Sequence, residues 1–150
     1  MTFPCALGRS GIQIDKREGD GATPWGRYRP LAAFWRDDRL QRPQTALPLS
    51  PIEKASGWCD DPADANYNKA VVLPYPASAE RMRRQDRLYD VVVDLDWNRG
   101  PIRKRKGSAI FLHIASAHFT PTEGCIALRR DHLLKLLVRI GPETIFDVRR

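Results

Sequence analysis

The sequence predicts a mainly β domain, a sandwich or barrel-like assembly with one short helix towards its C-terminal end. Many short strand-like segments separated by frequent turn residues point to this, together with a single strong helical pattern. That pattern covers residues 131–140, where Leu133, Leu134, Leu137 and Ile140 share one face. At 150 residues, the chain is long enough for one domain with a real core.

From the N-terminus, residues 5–16 read as a short strand pair, Ala6-Leu7 and then Gly11 to Ile14 with alternating apolar character. Gly19-Asp20-Gly21 reads as a tight turn. Residues 24–35 are extended and aromatic-rich, with Pro24 and Pro30 arguing against helix. Residues 37–51 read as loop, with Pro43, Pro48 and Pro51. Gly57 to Pro62 open an acidic loop that closes at Tyr67-Asn68. Its Asp60, Asp61 and Asp64 lack calcium-loop spacing and read as local side-chain caps. Val71 to Leu73 suggest a short strand stopped by Pro74 and Pro76. Residues 78–87 suggest a short helix, with Ser78 as N-cap and Glu80 in the first turn.

Residues 89–97 are the clearest strand. Tyr89, Val91, Val93 and Leu95 fall on one face, and Asp90, Val92, Asp94 and Asp96 on the other, which predicts a solvent-facing side. A turn at Asn98 to Pro101 leads to a further strand over residues 107–114. The helix begins with Asp131 as its expected N-cap. Gly141 suits the position after its end, Pro142 prevents continuation, and residues 144–148 form a last strand.

Composition narrows the function classes. The chain is 42% apolar and 29% charged, as a soluble globular protein is, and carries a net charge of +7. No apolar run approaches the ~18 residues of a membrane helix. Residues 1–10 show no charged-then-apolar export signal. Basic residues cluster at 81–87, 99–106, 129–130 and 149–150, without a nucleic-acid motif, and read as a solvated surface. Of the three cysteines, Cys5, Cys59 and Cys125, at least one must be unpaired. In an oxidising compartment Cys5 with Cys59 is the expected pair, and in a reducing one all three are thiols.

The chemistry concentrates in residues 108–137. A strand delivers His113, a loop rich in Ser, Thr and Pro follows, and Gly124-Cys125 comes next. A Cys and a His brought together by the fold make a thiol nucleophile and its base. Strand alternation puts Phe111 and His113 on one face and Leu112 and Ile114 on the other. Gly124 removes bulk beside the sulfur. The following helix, with Arg129 and Arg130, is expected to favour thiolate. His118 lies between base and nucleophile, and His132 opens the helix. No spacing among these residues supports a zinc site, and the chemistry needs no cofactor.

These residues resemble the L,D-transpeptidase (YkuD-like) catalytic domain. The family signature is a strand ending in His, a loop, then Ser/Thr-His-Gly-Cys and an apolar residue. His113, Thr122, Gly124, Cys125 and Ile126 match it in order. Thr23-Pro24-Trp25-Gly26-Arg27-Tyr28, with Ala22, is similar to the family's Thr-Pro-x-Gly-x-aromatic stretch. Glu123 stands where the family usually has His, and Ala127 where it often has Arg or Asn.

The resemblance implies a β-sandwich with a short helix after the nucleophile, and a monomer working in the periplasm or cell envelope. It implies Cys125 and His113 as catalytic residues, with Gly124 beside them, and Thr122, Glu123, His118 and Arg129 towards substrate. His113 would be oriented by the Ile114 carbonyl. The partners it implies are peptidoglycan stem peptides, joined through a Cys125 thioester resolved by an amine. Resolution by water, an L,D-carboxypeptidase or amidase reaction, and a non-catalytic peptidoglycan-binding domain are the alternatives. An ionised Glu123 only accepts hydrogen bonds, and would oppose thiolate formation unless an arginine offsets it.

Overall fold

A computed structural model describes residues 2–150. The first half of the chain forms β1 (Cys5–Ala6), β2 (Ile12–Gln13), β3 (Thr23–Pro24), β4 (Gly26–Tyr28), β5 (Pro30–Trp35) and β6 (Leu49–Pro51). The middle forms β7 (Ser56–Cys59), β8 (Ala70–Val72), β9 (Ala79–Arg81) and β10 (Val91–Leu95). Then come β11 (Phe111–Ile114), β12 (Ile126–Leu128), α1 (Arg130–Leu137) and β13 (Phe146–Val148). The mainly β prediction with one short helix holds.

The largest sheet has six strands in the order β1-β12-β11-β10-β5-β6 and is open, not a closed barrel. Its centre, β10 against β11, is antiparallel, whereas β11 and β12 run parallel. A three-stranded sheet, β8-β7-β9, and two short pairs, β13-β4 and β2-β3, complete the framework.

The central strands are buried on both faces. Val91, Val93, Leu95, Leu112 and Ile114 join Leu133 and Leu137 of α1 in one apolar core. Val92 and Phe111 on the opposite face join Ile52, Trp58, Met82, Tyr89 and Cys125 in a second. The expected solvent side of β10 is therefore interior. Asp90 and Asp94 are buried there with cationic partners, Arg39 at 2.7 Å and Arg99 at 3.0 Å. A buried carboxylate needs such a partner. Tyr89 precedes the strand in a turn and packs in the second core, not beside Val91.

Other expectations shift. Residues 78–87 contain β9, not a helix, because the edge of β7 pairs with Ala79, Glu80 and Arg81. Backbone pairing with an available edge overrides a weak local propensity. The loop over residues 37–51 ends in β6, paired with β5. The two N-terminal segments do not pair with each other: β1 joins β12 and β2 joins β3. The acidic loop is capped locally, with Asp61 and Asp64 accepting from the Ala63 and Asn66 amides.

The helix starts two residues early. Arg129 is its N-cap, without a side-chain bond, and Asp131 lies in the first turn, where negative charge complements the dipole. The helix closes at Val138, so Gly141 lies beyond its cap. All three cysteines are free thiols. Cys5 is exposed on the edge of the six-stranded sheet and Cys59 is buried in the three-stranded one, so the expected pairing does not form.

Leu133 is fully buried between α1 and the main sheet. Leu133→Ala is expected to lower stability by ~2–5 kcal/mol, read as a reduced denaturation midpoint at unchanged slope.

Candidate active site

His113 is the third residue of β11, pairing with Val92 on one side and Ala127 on the other. Its side chain is 5% exposed. Strand alternation turns it, with Phe111, away from the helix-side core, as the sequence predicts. Its Nδ1 lies 2.9 Å from the Ile114 carbonyl, the contact expected for a backbone-oriented base. A carbonyl only accepts, so Nδ1 carries the proton and Nε2 is the basic nitrogen.

Cys125 reaches the same place through the parallel pairing of β12 with β11. The register Leu112↔Ile126 sets Cys125 beside Phe111, whose amide points at Sγ from 3.5 Å. The thiol donates to the Ala109 carbonyl at 3.1 Å. Ala109 is itself in the left-handed region, φ 53°, and its backbone N–H donates a hydrogen bond to Asn68 Oδ1 at 3.0 Å. Asn68 Oδ1 also accepts from Trp58 Nε1, and its Nδ2 donates to the Trp97 and Asn98 carbonyls. This buried amide fastens the wall on which the sulfur rests.

Cys125 and His113 line one cleft of about 560 Å³, and no hydrogen bond joins them. Lys16, Glu18, Asp60, Glu80, Arg84 and Tyr89 line it as well. Lys16 is 3% exposed and its ammonium is held by Asp20 and the Arg17 carbonyl. Burial pushes the Cys125 thiol up to about 12, and the Glu80 charge adds to it, against the Phe111 amide and the Lys16 charge. Burial also lowers the His113 pKa, opposed by the Ile114 bond. A raised thiol and a lowered imidazole are both neutral at pH 7. The resting site is thus thiol and imidazole, not thiolate and imidazolium.

Two expectations about activation change accordingly. Cys125 leads into β12, which separates it from the start of α1. Arg129 is exposed and engaged with Asp131 at 3.4 Å, and neither Arg129 nor His118 lines the cleft. His118 is exposed, and His132 stacks on Phe3 at 4.3 Å. Among the described residues, no group of His, Cys, Asp and Glu gathers that could hold a metal ion.

Thr122, Glu123 and Gly124 form the turn before the sulfur. Thr122 Oγ1 donates to the Cys125 carbonyl at 2.6 Å and accepts from the Gly124 amide at 3.1 Å. Its hydroxyl is therefore a brace. Gly124 sits at φ 135°, where a Cβ would meet the Ala22 carbonyl oxygen at 2.7 Å. Its bareness serves this close approach to the Ala22-Thr23-Pro24 segment. Thr23 in turn accepts from the Gly8 amide at 2.8 Å. Glu123 is exposed at the edge of the cleft, which it lines with Thr122, and takes both its oxygens to Arg9 Nε at 3.1 Å. The carboxylate that opposes the thiolate is Glu80, which the sequence placed on a helix. Ala127, buried beside His113, offers no side-chain donor.

An open β-sheet domain that places a buried Cys and a backbone-oriented His on one cleft holds the two residue types a thiol nucleophile and its base require. A family model described as L,D-transpeptidase catalytic domain (YkuD) matches residues 1–148. The chain belongs to that family, whose catalytic function is exercised on peptidoglycan and whose members are generally associated with the cell envelope. No curated protein and no solved structure matches the chain. Among the described residues no helix is long and apolar enough to cross a membrane.

The electrostatics have a direct readout. A pH titration of labelled cysteine by NMR is expected to show Cys125 protonated up to about pH 10. Glu80→Gln should move its titration downward. Glu123→Gln should leave it in place, since that charge is already met by Arg9.

Proposed function

We propose that the protein is a cysteine-dependent L,D-transpeptidase in which Cys125 is the nucleophile and His113 the base. The observation that carries the reading is the shared cleft, with His113 Nδ1 tied to Ile114 and Nε2 left to take a proton. Arrival of substrate turns the thiol from the Ala109 carbonyl towards His113, whose Nε2 accepts its proton as the sulfur attacks. The target is the carbonyl of an L-to-D peptide bond in a peptidoglycan tetrapeptide stem, at its diaminopimelate residue.

A C–S bond forms, the carbonyl oxygen takes the negative charge, and the C–N bond then breaks. The leaving D-alanine amine takes the proton from His113. A thioester remains. The amine of a second stem attacks it, gives its proton to His113, and expels the sulfur, which recovers that proton. The result is a cross-link. The Gly124 amide is occupied by Thr122, which leaves the Cys125 amide as the donor to the oxyanion. A neutral resting pair suits this order, since the thiolate then arises only when a carbonyl is present to receive it.

Mass spectrometry of purified muropeptides incubated with the protein tests the reading. Cross-linked dimers are expected from the native protein. Cys125→Ala should give none, and His113→Ala should reduce the rate by ~10²–10⁴. Trimmed tripeptides in place of dimers would assign the thioester to water. No product, with no Cys125 labelling by an acyl probe, would make the domain a binding module.

A further inference from the structure

His113 is held by a single hydrogen bond, at Nδ1. A ring fixed at one nitrogen needs a wall to fix its tilt, and an error of about 1 Å in a reacting group can cost ~10²-fold in rate. Tyr89 supplies the wall. Its ring meets the His113 ring at 5.3 Å between centroids and 64° between planes, and the Phe111 ring at 6.1 Å and 80°. It is 6% exposed and lines the cleft with Cys125.

Tyr89 is itself clamped. Its hydroxyl donates to Glu80 Oε1 at 2.5 Å, and the Arg84 guanidinium lies over its ring at 5.1 Å. Arg84 is turned there by Asp86 at 2.6 Å and stands 4.0 Å from Glu80. Glu80 belongs to β9, in the three-stranded sheet, and His113 to β11, in the six-stranded one. The Tyr89–Glu80 bond therefore ties the three-stranded sheet to the base.

We propose that Tyr89, clamped by Glu80 and Arg84, is the positioning residue that sets His113 in line with Cys125. The inference rests on the roles given to Cys125 and His113 in the acyl-transfer reading above. Burial, with Cys125 and Glu80 nearby, raises the phenol well above its ordinary value, so Tyr89 stays a donor throughout the working range and does not compete as a base. The hydroxyl sets the ring and the ring sets the imidazole.

Tyr89→Phe and Tyr89→Leu test the idea through three measurements. These are the pH profile of Cys125 acylation by a thiol-reactive acyl probe, the NMR titration of His113, and the muropeptide reaction. Tyr89→Leu is expected to slow acylation by ~10² and to raise the His113 pKa towards the ordinary ~6.5 as water reaches the ring. Tyr89→Phe keeps the ring but frees it from Glu80, and about a tenfold loss with a smaller shift in titration is expected. Either variant, folded and with native acylation and native His113 titration, overturns the proposal. Should Tyr89→Leu lose its thermal transition, Tyr89→Phe alone decides. Muropeptides processed at the native rate by both variants would reject the positioning role and leave the transpeptidase reading standing. Acylation that depends on Tyr89 as expected, in a native protein that leaves muropeptides unchanged, would reject the transpeptidase reading and keep the positioning role.

Discussion

The parallel register between β11 and β12 is the constraint on which the rest depends. It pairs His113 with Ala127 and Leu112 with Ile126, and so brings Cys125 level with Phe111. Shifting it by one residue would turn the side chains of β12 to the opposite faces of the sheet. The register is held from both ends. Thr122 bonds the Leu7 carbonyl through its amide and the Cys125 carbonyl through its hydroxyl, and β1 covers the outer edge of β12. The Thr-Pro segment at residues 23–24 lies under the same turn, where the Ala22 carbonyl admits only a glycine at position 124. Two segments a hundred residues apart thus act as one support.

Burial on both faces of β10 and β11 gives the site its electrical character. The helix-side core anchors the sheet, and the second core surrounds the sulfur with Trp58, Met82, Tyr89 and Phe111. An apolar surrounding disfavours charge, so the sulfur keeps its proton and shares it with a backbone carbonyl. The same burial keeps the imidazole neutral and available as a base. The protein carries +7 overall, yet the cleft beside the sulfur mixes Glu18, Asp60, Glu80 and Glu123 with Lys16 and Arg84 on its wall. Net charge is a property of the whole surface, whereas the site responds to the few groups nearest to it.

Polar groups buried in this framework are joined across elements that are distant in sequence. Asn68 fixes Ala109 and Trp58 together, and Glu18 accepts from both Tyr67 and Ser108. The Tyr67 hydroxyl receives the Gly107 amide. These bonds define the approach to β11 without regular secondary structure. A loop that passes through the interior has to satisfy its amides in this way.

The sequence by itself determined the mainly β class, the helix that follows the Gly-Cys turn, and the strand that carries His113. These are local properties, because alternation and helical periodicity are written in neighbouring residues. It also determined which Cys and His types lie on the return of one strand, and that the Ile114 carbonyl follows the His. The tertiary structure alone decided that Asp94 is interior, that residues 79–81 pair as a strand, and that Cys5 and Cys59 stay apart. It decided likewise that Glu123 turns to Arg9 at the cleft edge while Glu80 turns inward to Tyr89. Each of these depends on which segment lies across from which. A carboxylate in a sequence carries no sign of the cation or phenol that packing will set beside it, and the charge felt at Cys125 is fixed by that packing.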